Sequence, residues 1–144
     1  MKKILFICKH NLFRSRVAEI LFNRMNKNKN YMASSAGIIL WNEKDLKGDS
    51  AYTAEKKVGK RMGINLKVDS KPVTFSILRT TNLLIIVADD VPKSFLEIEK
   101  SFKGKMLVWK IPDVKSKDKN KEKAALKTIN FIDKKVKELI KKLK

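Results

Sequence analysis

The chain has 144 residues, which suits one domain spanning 1–144 with a real core, since a domain near that size buries roughly two-thirds of its unfolded surface. Its formal net charge of +19 raises nucleic acid or another anionic surface as a partner. Among the 34 basic residues, however, only Arg14, Arg16, Arg24, Arg61 and Arg79 are arginines; arginine is the usual reader of base edges, so the lysine-rich balance speaks against nucleic-acid recognition.

In chain order, Ile4–Ile7 is a continuous apolar run that reads as a strand buried on both faces. It follows two lysines in the manner of an export signal, but Lys9 and His10 interrupt it, whereas export needs an apolar stretch of about 7 to 15 residues. The expectation is a cytoplasmic protein in which the lone Cys8 stays a thiol. Val17, Ile20, Leu21 and Met25 then recur at helical spacing. YMASSAG, Tyr31 to Gly37, reads as a second strand broken by its glycine. Ser50–Gly63 reads as a helix with Ala51, Ala54, Val58 and Met62 on one side and Gly63 as its stop. Asn82–Ala88 is the clearest strand, and its apolar run is far short of the ~20 residues that cross a bilayer, so no membrane role is expected. Pro92 opens a further helix to Phe102, capped by Asp90. Lys105–Ile111 makes a fourth strand, Lys115–Lys123 a charged loop, and Ile129, Ile132, Val136, Ile140 and Leu143 the inward face of a closing helix.

Strands alternating with helices imply an α/β fold, a four-stranded parallel sheet covered on both faces. Ligands bind such sheets beyond the carboxyl ends of the strands. Cys8 follows strand one, Trp41 lies shortly after strand two, Asp89 and Asp90 follow strand three and Asp113 follows strand four. One edge therefore collects a thiol, an aromatic ring and three carboxylates.

The turn CKHNLFRS, Cys8 to Ser15, joins a strand to a helix, where unpaired amides at the positive end of the helix dipole form an anion site. Lys9–Phe13 can wrap those donors around a tetrahedral oxyanion, and Arg14 can add a bidentate fork. The same field favours a thiolate at Cys8, since a thiol of ordinary pKa ~8.5 falls to ~3.5–7.5 at a helix N-terminus beside cations. Ser15 can donate a hydrogen bond to that sulfur, and Asn11 suits a left-handed backbone position. His10 is not required by this chemistry; it reads either as a loop side chain tolerant of positive φ or as a pocket-rim group that attracts a dianion when protonated.

ILFICKHNLFRSRVAE, Ile4 to Glu19, resembles the phosphate-binding loop of the low-molecular-weight protein tyrosine phosphatase family: cysteine, five residues, arginine and serine directly after the first strand. The resemblance continues through SSAG and Trp41, RMGINL, TNLLIIVADD and IPD near the end of the chain. It implies a three-layer sandwich with the phosphate-binding loop after strand one. Carried over by position, it implies Cys8 as nucleophile, Arg14 as phosphoryl ligand, Asn11 and Ser15 as supports of a loop completed by Lys9, His10, Leu12 and Phe13, Asp113 as general acid and Trp41 as pocket wall. The implied substrate is a phosphorylated protein, as phosphotyrosine, or a small aryl phosphate, with inorganic phosphate as product. No metal or cofactor is expected, and neither metal-ligand spacing nor a Walker-type glycine loop occurs.

The chain departs from the family pattern at His10, where glycine is usual, at Phe13, where a second cysteine is usual, and at Arg16 and Val114, where proline is usual. No histidine stands in the Val68–Ser70 region, and VKSKDK replaces the tyrosines that follow the acid. Two alternatives remain: a phosphate- or phosphoprotein-binding member with weak turnover, and an arsenate reductase. A related branch reduces arsenate through three cysteines; with one cysteine this chain would need an external thiol.

Overall fold

Ile4–Cys8 is buried without interruption because β1 (Lys2–Cys8) lies inside the sheet, with β2 (Tyr31–Gly37) on one side and β3 (Leu83–Val87) on the other. β4 (Lys105–Trp109) completes a parallel sheet of order β2-β1-β3-β4. The computed structural model describes residues 1–41, 43–66, 70–91, 95, 102 and 104–143. Cys8 pairs with Gly37, Ile7 with Ile86 and Val87 with Trp109, so the carboxyl ends of the strands lie level along one edge. As an edge strand, β4 leaves Val108 exposed.

Alternation along the strands divides the core in two. Ile4, Phe6, Ile85 and Val87 face α1 (Arg14–Met25) and α5 (Lys121–Lys142), whose Val17, Leu21, Phe22, Ile129, Ile132 and Val136 fill that layer with Val58 of α3 (Ser50–Arg61). Leu5, Ile7, Leu84 and Ile86 face the other way, against Leu78 of α4 (Phe75–Thr80) and Phe95. The result is a three-layer α/β sandwich, as the sequence implied.

Particular elements differ from expectation. Phe22 is fully buried on α1, whereas Ile20 and Met25 are only partly covered. The Lys115–Lys123 loop is shorter than expected, because Asn120 caps α5 by accepting from the Lys123 amide at 3.0 Å. Two helices were not anticipated, α2 (Glu43–Leu46) and α4; the latter is capped by the Thr74 side chain. Ser50–Arg61 ends as expected, with Gly63 at φ +73°, and Asp49 caps its start. The helix expected to open at Pro92 lies outside the described residues, apart from Phe95 and Phe102, which join the second core layer.

Candidate active site

β1 delivers Cys8 to the carboxyl edge of the sheet, and the chain turns over Lys9–Phe13 before α1 begins at Arg14. The turn hinges on Asn11, whose φ of +55° makes it the only described residue other than glycine in the left-handed region. The positive φ considered for His10 is therefore not found. Asparagine tolerates this backbone better than most residues, and here its side chain is fully tied down.

The Lys71 amide donates to Asn11 Oδ1 at 3.0 Å, which assigns the amide nitrogen to the opposite side. Asn11 Nδ2 then donates to Ser15 Oγ at 2.7 Å and to Ser35 Oγ at 2.9 Å. Ser15 Oγ, accepting from Asn11, lies 3.0 Å from Cys8 Sγ, and its own hydrogen is available to that sulfur when it is a thiolate. The Asn11 amide adds a second donor to that sulfur at 3.3 Å. Ser35 passes its hydrogen on to Glu19 Oε1 at 3.1 Å, and Ser70 Oγ donates to the Asn11 carbonyl at 3.1 Å. Gly37 lets the turn lie this close, since a Cβ there would stand 2.8 Å from the backbone of His10 and Asn11.

Arg14 is 2% exposed and donates from Nη1 to the Ile111 carbonyl at 2.9 Å. Its Nη2 contacts the Asp90 carboxylate at 3.0 Å, while Asp89 and Asp113 approach the guanidinium at 3.9 Å. Burial alone would lower the Arg14 pKa, but Cys8, Asp113 and Asp90 together hold it above its ordinary value. Asp90, expected to cap a helix, has its carboxylate on Arg14. The carboxyl of Asp113 is held above its ordinary range, chiefly by burial; Arg14 opposes this and Asp90 adds to it, with smaller opposing contributions from His10 and the Val114 amide.

A cavity of about 300 Å³ opens on this turn, lined among others by Cys8, Arg14, Trp41, Tyr52, Glu55 and Asp113. Lys9, His10, Leu12 and Phe13 also border it, although Leu12 and Phe13 are buried among apolar side chains. Neither Asp89 nor Asp90 lines it. The His10 ring lies 4.2 Å from that of Trp41, and Nδ1 donates to the Ile39 carbonyl at 2.7 Å, so His10 braces the wall that carries Trp41. Thiol, guanidinium and a raised carboxyl around one cavity can respectively attack, hold and protonate a phosphate ester.

Sequence reasoning left Ser35, Ser70, Lys71 and Glu55 without roles. The first three are polar residues in unremarkable contexts, and nothing local announces them. Glu55 carried a signal: it stands four residues after Ala51 within the inward stripe of α3, where a carboxylate is out of place. Among the described residues no group of three or more His, Cys, Asp or Glu side chains is arranged to hold a metal ion, and no helix is long and apolar enough to cross a membrane.

Residues 3–144 match the family of the low molecular weight phosphotyrosine protein phosphatase. A comparison with curated proteins found no match. Among solved structures, the low molecular weight protein tyrosine phosphatase of Streptococcus pyogenes is 21% identical with a TM-score of 0.73, covering 100% of this chain and 94% of that one. The YwlE arginine phosphatase of Geobacillus stearothermophilus is 17% identical with a TM-score of 0.73, covering 99% and 93%. An arsenate reductase of Archaeoglobus fulgidus is 23% identical with a TM-score of 0.66, covering 95% and 98%. At these identities the likeness is one of fold.

Proposed function

Because the chain belongs to the low molecular weight phosphotyrosine protein phosphatase family and is a hydrolase of that family, we propose that it cleaves phosphate monoesters through a phosphocysteine at Cys8. The observation that carries this reading is the convergence of Cys8, Arg14 and Asp113 on one cavity. The Cys8 thiolate attacks phosphorus in line, forming an S–P bond as the ester P–O bond breaks. Arg14 and the amides of the turn hold the equatorial oxygens, and Asp113 gives its proton to the leaving oxygen. Water then attacks phosphorus, Asp113 takes its proton, and the S–P bond breaks to release inorganic phosphate. Ser15 and Asn11 direct hydrogen bonds at Sγ and thereby stabilise it as both attacking and leaving group.

The substrate in this reading is phosphotyrosine of a protein or a small aryl phosphate, met in the cytoplasm. Trp41, steadied by His10, supplies a face for the ring. The lysine-dominated charge attracts acidic surroundings of a phosphorylated site without the arginines of nucleic-acid readers.

The test is turnover of an aryl phosphate by the wild type and Cys8→Ser, with acid quenching to trap a labelled phosphocysteine. Activity and label are expected in the wild type alone. Hydrolysis by Cys8→Ser would sink the mechanism.

A further inference from the structure

Glu55 takes no part in the mechanism above, yet it borders the same cavity as Cys8, Arg14 and Asp113. It is 5% exposed, and its Oε2 is shut off from solvent with no hydrogen-bond partner among the described residues. A buried carboxyl in that situation is tolerated as the neutral acid, whereas the ionised form requires a compensating charge.

The charged and titratable groups around it come from three directions. Asp49 and Tyr52 stand on or next to its own helix; Cys8, Lys9, His10 and Arg14 belong to the turn and α1; Asp113 and Lys115 follow β4. Burial, then Asp113, pushes Glu55 well above the ordinary carboxylate range; Arg14 opposes this and Asp49 adds to it. Arg14 is thus the chief support of an ionised Glu55. A dianion seated on Arg14 would neutralise that support and place two further negative charges in the cavity.

We propose that Glu55 takes up a proton from solvent when a tetrahedral dianion binds at Arg14, so that anion capture is coupled to proton uptake and weakens as the pH rises. The inference deepens the phosphatase reading and rests on it only for the place where the anion sits. The single bond formed is O–H on Glu55, with the proton supplied by water or buffer. A buried acid next to the cradle would thereby tie substrate affinity to pH through a group outside the chemical steps.

Inorganic sulfate is the probe, being dianionic from about pH 5 to 9, and its dissociation constant is measured across that range for the wild type and Glu55→Gln. All other titratable groups are the same in both proteins, so the difference reports Glu55 together with its electrostatic coupling to Asp113. The wild-type affinity should fall more steeply, by up to about tenfold more per pH unit where Glu55 ionises in the free protein. Calorimetry in buffers of different ionisation heat should count up to one more proton bound by the wild type. Glu55→Met, apolar and of similar volume, replaces the glutamine variant if the latter does not fold. Parallel curves with equal proton uptake would overturn the inference and leave the phosphatase reading intact. Absence of sulfate binding by the wild type would remove the anion cradle and this inference with it.

Discussion

Buried Glu55 and half-buried Asp113 are two carboxyls in one cavity, and the proposed mechanism uses only the second. Asp113 approaches the guanidinium of Arg14, and in the proposed mechanism its raised pKa keeps the proton that a general acid must give. Asp113→Ala should slow poor leaving groups by about 10²–10⁴-fold while sparing activated aryl phosphates. The alkaline decline of kcat for the poor substrate should vanish with it; an equal loss for both substrates would point to a structural role. Glu55 affects stability as well. A carboxyl with a raised folded pKa binds more protons folded than unfolded, so its contribution is favourable below the unfolded value, about 4.3, and is lost as pH climbs towards the folded one. Each unit of that gap costs about 1.4 kcal/mol, so Glu55→Gln should be more stable than the wild type at about pH 8 and little different near pH 4. Urea unfolding at the two values checks the sign, and a variant less stable at pH 8 would contradict it.

At the scale of elements, the junctions of β1, β2 and α1 carry the site. Phe13 precedes α1 without a side-chain cap, no acidic residue stands in the first turn, and Arg14 places a cation at the positive end of the dipole. An anion satisfies all three deficits together. Phosphate at about 100 times its dissociation constant should therefore stabilise the protein by about 2.7 kcal/mol, and thermal unfolding should show the gain in the wild type but not in Arg14→Gln. An equal gain in both proteins would place the anion elsewhere. The last residue of β2 is equally exacting. Gly37→Ala sets a methyl 2.8 Å from the backbone of His10 and Asn11, and neither can retreat, because Asn11 is held by Lys71, Ser15 and Ser35. The strain should cost about 1–3 kcal/mol and reduce phosphate affinity together with stability. Unfolding and phosphate titration of the variant measure both, and an unchanged affinity would mean that the turn yields without effect on the cradle.

Over the whole molecule, a net charge of +19 opposes compaction. Among the described residues, the ion pairs of Lys57 and Arg61 with Glu122 and of Lys137 with Asp133 lie at the surface and are worth little each. Stability should therefore rise as chloride shortens the screening length from about 30 Å at 0.01 M to about 8 Å at 0.15 M. Each kcal/mol gained would raise the melting temperature by roughly 2–4 °C for a domain of this size. A melting temperature that stays level or falls over that range would mean that the lysines repel one another less than their number suggests.

Whatever depends on near neighbours in the chain was legible from the sequence. The unbroken apolar runs of β1 and β3 declare inner strands, the helical spacing of α5 and, in part, of α1 declares their inward faces, and Cys8, Arg14 and Ser15 fall visibly on one strand-to-helix turn. α2 and α4 escaped because four and six residues are too few to display a period. Only the tertiary structure brought Ser70 and Lys71 to Asn11, set Asp90 on Arg14 and turned Glu55 into the cavity. Those contacts join residues some 40 to 80 positions apart, and they arise from sheet register and helix packing: no local pattern encodes which distant polar group will meet which once the order β2-β1-β3-β4 has formed.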